Sequence, residues 1–527
     1  MTGRVAAVGK NIILCSDGTG NTAIKDRGTN VFKLFEAIDL SPEFNQKAYY
    51  DDGVGTESFK LFKLLGGAFG LGLSRNVRHL YMNLVRVYEP GDNIYLFGFS
   101  RGAFTVRTLA GFISHCGILD CRRFCHNDAE MMNKVEGAYK AYRRRYKTVI
   151  ANVWRWLFKW NTQRKYGFTE TDEFMRRYTH VHPQGHTPIH FIGVWDTVSA
   201  VGFPVIGVTE LFNRIYRVTF PDHKLGANVA NAYQALSIDD KRRTFHPEMW
   251  DEGTEADDAK KRIHQVWFAG VHANVGGGYP KQGMSLVALD WMMQNAEAKG
   301  LHFIASSRSR VRTHANVNDK LYDSRSGLAV YYRYAPRDIH EISRRYNIKT
   351  PLIHDSVMLR SLDLTDGYAP GNLPRNCRFV ATGQAGYVYE YETSLFKQDM
   401  GKNDTLLERV AGAVILRKRM HALFLLLSAL FVYLMIERYS FAGFMEMVAD
   451  PGSMTFLKSS AVVLLDSVWL LIPVVIVLLL SQAARGRIQT SFSSFWYSFN
   501  AKVPGGRMRA AAAGEDKAQP QPSEIDS

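Results

Sequence analysis

The chain has 527 residues, is 46% hydrophobic, and carries a formal charge of +15 from 65 Lys and Arg against 50 Asp and Glu. That is enough apolar material for a large core, and with no nucleic-acid-binding motif the positive charge fits an anionic bilayer better than nucleic acid. Five irregularly spaced cysteines argue for a reducing compartment, and the amino-terminal apolar run of about five residues is too short for a secretory signal.

In chain order, the first expected element is a strand at Ile12–Cys15, followed by the turn Asp17-Gly18-Thr19-Gly20-Asn21. In nucleophile-elbow hydrolases a Gly-rich turn after an early strand supplies the second oxyanion amide, assigned here to Gly18 or Thr19. Asp17 itself is read as bonding to local backbone. The run GGAFGLG at Gly66–Gly72 is not a dinucleotide fingerprint, because no strand leads into it. Ile94–Phe97 then reads as a buried strand, Gly98-Phe99-Ser100-Arg101-Gly102 spells G-x-S-x-G, and Ala103–Ile113 reads as a helix. Strand, tight turn and helix together lift the Ser100 hydroxyl above a sheet and place the Arg101 amide at a helix N-terminus, where it can hold an oxyanion.

Serine is a weak nucleophile, so the reading requires a base and an acid, in the chain order Ser, Asp or Glu, His. Ile189–Trp195 reads as a strand ending at Asp196, and Val266–Phe268 as a strand with His272 in the loop beyond it. Gly276–Gly278 would let that loop turn tightly against the site. Asp196 competes with a helix-capping role, and Asp239 and Asp240 are the alternative acids. His246, in RRTFHPEMWD, has no strand before it and is read as part of a lid or structural loop. The group His115, Cys116, Cys121, Cys125 and His126 matches no standard spacing of zinc ligands. Ala141–Trp160 carries Ile150, Val153, Trp154, Leu157 and Phe158 at helical spacing among basic residues, as an interfacial helix or a lid would.

The successive segments CSDGTGN, YYDDGVGT, GGAFGLGL, GFSRGA, GVWDTVSAVG, RRTFHPEMW, WFAGVHANVGGGY and GYAPGNLP resemble the type VI secretion phospholipase effector-like α/β-hydrolase family, in order from about Asn11 to Pro374. The resemblance implies a Ser-Asp-His machine on Ser100, Asp196 and His272 and lipid esters as substrates; the acyl-enzyme route so read requires no cofactor. Many members carry Asp two residues after the catalytic His, where this chain has Asn274.

The carboxyl-terminal part differs in character. Met420–Ile436 and Ala461–Leu480 are apolar stretches, the second broken only by Asp466, Ser467 and Pro473. Its fifteen Leu, Ile and Val residues, at about −0.4 kcal/mol each, outweigh an Asp costing at most about 3 kcal/mol, and Asp466 near one end is expected to reach the headgroups. Basic clusters flank the pair outside (Arg417–Arg419, Arg485, Arg487), whereas the loop between carries only Arg438 and Lys458, so both flanks are expected on the cytoplasmic side. SFSSFWYSF is expected at the interface, and the Ala-Gln-Pro-rich end after Arg509 is expected to be disordered.

The expected architecture is an α/β-hydrolase-type, mostly parallel sheet flanked by helices, with insertions and a C-terminal transmembrane hairpin. Its parts are a catalytic domain at 1–400 with a lid-like insertion at about 130–180, a basic linker at 401–419, and membrane helices at 420–436 and 461–484. A loop at 437–460 joins those helices, and a tail at 485–527 follows them. The expected activity is acyl-ester hydrolysis by a serine hydrolase anchored in a membrane, most simply a bacterial inner membrane, with lipid substrate and anionic surface as partners. A tethered esterase or thioesterase on a soluble substrate, and a non-catalytic scaffold, are the alternatives.

Overall fold

Short apolar runs with no polar alternation demand burial on both faces, which a parallel sheet covered by helices provides. A computed structural model describes residues 9–18, 28–53, 68–144, 171–182, 187–199, 223–253, 262–381, 390–449 and 454–503. It divides into two units, one of Met1–Ser324, Pro336–Arg360 and Asn372–Thr393, the other of Arg325–Ala335, Ser361–Gly371 and Ser394–Ser527.

The first unit is built on β1 (Asn11–Ser16), β2 (Gln46–Asp51), β3 (Asn93–Phe99), β4 (Phe191–Trp195), β5 (Ala232–Ser237), β6 (Ile263–Phe268), β7 (Leu352–His354) and β8 (Arg378–Val380). They form one sheet in the order β2-β1-β3-β4-β5-β6-β7-β8, with every pairing parallel. Side chains alternate between its faces. Ile12, Leu14, Ile94 and Leu96 pack with the helices Ala68–Val87, Arg101–Cys116 and Asp128–Arg144 on one side. Ile13, Cys15, Tyr95 and Phe97 pack with Asn30–Ala37 and Gly283–Glu297 on the other. Because β2 lies on one side of β1 and β3 on the other, the winding reverses there, the point in an open parallel sheet at which ligands generally bind. Ser100 stands at that point.

In the expected lid-like insertion at about 130–180, Met131, Val135, Ala138, Tyr139 and Tyr142 of the helix Asp128–Arg144 are buried in the core. The stretch Ile150–Phe158 lies outside the described residues. Of the His and Cys group at 115–126, His115 Nδ1 bonds to the Gly111 carbonyl at 2.8 Å, and no metal-holding cluster occurs among the described residues. None of the five cysteines forms a disulfide.

Among the described residues of the second unit, two helical stretches are long and apolar enough to cross a membrane, Val410–Val448 and Val468–Asn500. Their boundaries depart from expectation. The helix Asp404–Ala449 runs through most of the expected loop, with a break at Ser440 (φ 64°). The second apolar stretch is two helices, Met454–Asp466 and Leu471–Asn500, interrupted where Asp466 and Ser467 stand. Pro473 falls in the first turn of the latter, where its missing N–H costs nothing. Asp466 pairs with Arg438. The SFSSFWYSF segment is the last part of Leu471–Asn500 rather than a separate interfacial piece. Phe492, Phe495, Trp496 and Phe499 are buried, the Trp496 ring stacks on Phe396 at 5.7 Å, and its indole N–H donates to the Pro370 carbonyl at 3.0 Å.

Trp496→Ala is therefore expected to destabilise this unit by about 3–5 kcal/mol. Tyr497→Ala, at a position 70% exposed, should change stability by no more than about 0.5 kcal/mol. Thermal unfolding in detergent measures both, and equal effects would contradict the packing.

Candidate active site

Ser100 follows β3 directly and takes φ 57°, ψ −119°, a backbone region that costs a non-glycine residue about 1–3 kcal/mol. The strained turn is held from three sides. Its N–H donates to the Trp195 carbonyl at 3.0 Å, and its carbonyl accepts from Phe104 N–H at 3.3 Å and Val198 N–H at 3.5 Å. The next helix starts against the end of β1, where a Cβ on residue 102 would lie 2.1 Å from the Ser16 carbonyl oxygen, so only glycine fits there. The Arg101 amide opens the helix Arg101–Cys116.

Asp196 is the first residue after β4, has φ 39°, and is fully buried. Its carboxylate accepts from Ser237 N–H at 3.0 Å, Ser237 Oγ at 3.1 Å and His272 Nδ1 at 2.5 Å. Two further bonds come from Arg337, Nη1 to Oδ1 at 2.6 Å and Nη2 to Oδ2 at 2.8 Å. Burial by itself would raise the Asp196 carboxyl. The Arg337 guanidinium, with His272, overturns that and holds the group well below the usual carboxylate range.

His272 opens a short helix, His272–Gly276, rather than lying in a loop. Its Nε2 is 2.8 Å from Ser100 Oγ, so with Nδ1–H given to Asp196 the free lone pair faces the serine hydroxyl. The Phe99 ring covers the imidazole at 4.7 Å, and the Phe245 ring meets it edge-on at 5.0 Å. A Cβ at residue 276 would lie 1.9 Å from the Phe99 ring, the close approach that the glycine run permits. Burial pushes the imidazole below its ordinary value against the pull of Asp196. Arg242 pushes it further down and Asp240 pulls it back.

The structure thus brings Ser100, His272 and Asp196 into one hydrogen-bonded chain. The alternative acids are engaged elsewhere: Asp239 accepts from Gly270 N–H at 2.7 Å, and Asp240 accepts from Arg242 and from the His272 main-chain N–H at 3.3 Å. His246 lies beside Arg243 at 2.9 Å, in a segment whose Phe245 walls the imidazole. At the early turn, Gly18 N–H donates to Asp17 Oδ1 at 2.6 Å, so that amide is already committed, and Thr19 lies outside the described residues. Asp17 is bound more widely than a local turn requires, since it also accepts from Thr29 Oγ1, and from Tyr50 OH at 2.7 Å. Arg337 and Ser237 carry no spacing signal in the sequence. Arg337 follows Ala335-Pro336 in an unremarkable loop, and only the fold brings it under Asp196.

The sheet order and this constellation at its carboxyl edge define an α/β-hydrolase-like protein. Comparison with known proteins narrows the class. Residues 10–295, more than half of the chain, match the catalytic domain of the Tle1-like phospholipase effectors of type VI secretion, and the chain belongs to that family. An uncharacterized protein of Saccharomyces cerevisiae is 30% identical over 250 residues, which cover 45% of this chain and 32% of the yeast protein. The chain thus matches about a third of that relative's length. A crystal structure of an uncharacterized protein from Pseudomonas aeruginosa aligns with 14% identity and a TM-score of 0.32, over 87% of this chain and 62% of that one.

Asn274, the departure from the family pattern, is structural here. Its Nδ2 donates to the Lys320 carbonyl at 3.0 Å, while Oδ1 accepts from Val271 and Tyr322 N–H. Asn274→Asp removes that donor and sets a carboxylate against a carbonyl, so a loss of about 1–3 kcal/mol is expected. A melting temperature equal to the parent's would contradict this account.

Proposed function

We propose that this chain is a membrane-anchored serine hydrolase that cleaves acyl esters, with phospholipids as the preferred class. The observation that carries the reading is the hydrogen-bonded chain Ser100 Oγ, His272 Nε2 and Nδ1, Asp196 Oδ2, at 2.8 and 2.5 Å, standing over the carboxyl ends of a parallel sheet. Family membership supports the phospholipase class.

In the proposed mechanism Ser100 Oγ attacks the ester carbonyl while His272 Nε2 takes its proton, forming a tetrahedral adduct. The Arg101 amide holds the oxyanion, together with an amide of the Gly18–Thr19 turn. With Gly18 committed to Asp17, Thr19 is the favoured second donor. His272 then returns the proton to the departing alcohol. Water attacks the acyl-enzyme with His272 again as base, and the fatty acid leaves. Asp196 keeps the imidazole in the tautomer this sequence needs. The two apolar stretches Val410–Val448 and Val468–Asn500 support anchoring, and the basic residues outside the pair support a cytoplasmic placement of the hydrolase domain.

Ser100→Ala and His272→Ala are each expected to lower esterase turnover by at least about a thousandfold without loss of folding, and Ser100→Ala to abolish labelling by a fluorophosphonate. Asp196→Asn should cost about 10⁴ in turnover through the wrong tautomer. Near-native turnover in Ser100→Ala would overturn the assignment. For topology, a translocation-dependent reporter should be active when fused near Gly452 and inactive when fused after Arg509. Activity after Arg509, or extraction of the full chain by salt alone, would rule out the hairpin.

A further inference from the structure

Arg337 lies beyond the residues matched by the family, is fully buried, and spends its guanidinium on this site. Besides the fork to Asp196, Nη1 donates to the Ser237 carbonyl at 2.5 Å and Nη2 to the Phe245 carbonyl. Its Nε has no hydrogen-bond partner among the described residues. A buried arginine with an unsatisfied donor is a poor choice for stability alone, since apolar replacements of buried ion pairs are often neutral or stabilising. The expense points to what it does for its partner.

We propose that Arg337 is a positioning residue that fixes the plane of the Asp196 carboxylate and makes His272 face a neutral ion pair instead of a bare carboxylate. This rests on the Ser100–His272–Asp196 reading above. The charged groups around His272 among the described residues fit it. Asp196 holds the imidazole, Asp240 accepts from the His272 main-chain N–H, and each has its own arginine. Asp240 takes Arg242 Nε at 3.1 Å and Nη2 at 2.7 Å, as Asp196 takes Arg337. Its other neighbours among the described residues, Ser100 and the Phe99 and Phe245 rings, are uncharged. With both carboxylates neutralised, nothing offsets burial strongly enough to favour the imidazolium, so the base stays unprotonated under mildly acidic conditions. Arg337 also ties the Phe245 backbone to Asp196, which fixes the ring against the imidazole edge.

The test is the pH dependence of fluorophosphonate labelling and of kcat/KM on a water-soluble short-chain ester, using the full-length protein in detergent. The native chain should lose reactivity as pH falls, with a midpoint below the ordinary histidine value of about 6.5. Arg337→Met should raise that midpoint by about one unit or more, because His272 then pairs with an uncompensated carboxylate. Arg337→Lys, which keeps the charge but loses the fork, should react more slowly at a midpoint within about 0.3 unit of native. Partial misfolding lowers the amplitude without moving a midpoint, so a merely structural role predicts slower labelling at unchanged pH dependence. An unmoved midpoint in Arg337→Met overturns the proposal, as does a native midpoint at about 7 or above. Should Arg337→Met yield no reactive protein, the native and Lys midpoints decide. Labelling that persists in Ser100→Ala would instead remove the underlying triad reading, whatever the Arg337 variants do.

Discussion

A carboxylate with no exposure to water organises the first unit. Burying an ion costs several kcal/mol, about the stability of a small domain, unless donors replace its hydration shell. Asp196 receives five such bonds: two from Ser237 at the end of β5, one from His272 after β6, and two from Arg337. Satisfying one side chain therefore gathers the chain segments that follow three neighbouring strands. The positive φ at Ser100 and at Asp196 belongs to the same arrangement, since both backbones turn sharply at strand ends and Ser100 N–H is held by the residue just before Asp196. Strain at Ser100 is thus sustained by the element that presents Asp196.

Much of this was legible in the residues, and the reasons are local. β1, β3 and β4 announce themselves as apolar runs, and β6 by its Val266–Phe268 end, because both faces of a parallel sheet are covered. The elbow is legible because Gly102 answers a steric demand that no other side chain meets. Asp196 and His272 could be found by asking what stands at the carboxyl end of each strand. Arg337 could not. Its partner is 141 residues away, and an arginine in a Pro-containing loop looks like any solvated one. The commitment of Gly18 to Asp17 was equally hidden, since a glycine-rich turn reads the same whether its amides face a substrate or a neighbouring carboxylate.

In the second unit hydropathy located the apolar stretches but not the helix ends. Apolarity marks which residues avoid water, whereas helix boundaries depend on backbone breaks. Ser440, with its positive φ, and the Asp466–Ser467 interruption fall inside or beside stretches that hydropathy treats as continuous. SFSSFWYSF is open in sequence for a related reason: aromatic side chains mixed with serine suit a headgroup interface and a packed helix end alike. Only the partners distinguish them, and here these are Phe396 and the Pro370 carbonyl.

The distance in sequence between Asp196 and Arg337 bears on how the protein is made. A chain emerging from the ribosome presents the serine, the acid and the histidine in that order, all before residue 337 appears. In the folded chain the Ser237 and Phe245 carbonyls take their donors from Arg337. The arrangement around Asp196 can therefore be completed only once synthesis has passed residue 337, beyond the stretch 10–295 that already carries Ser100, Asp196 and His272.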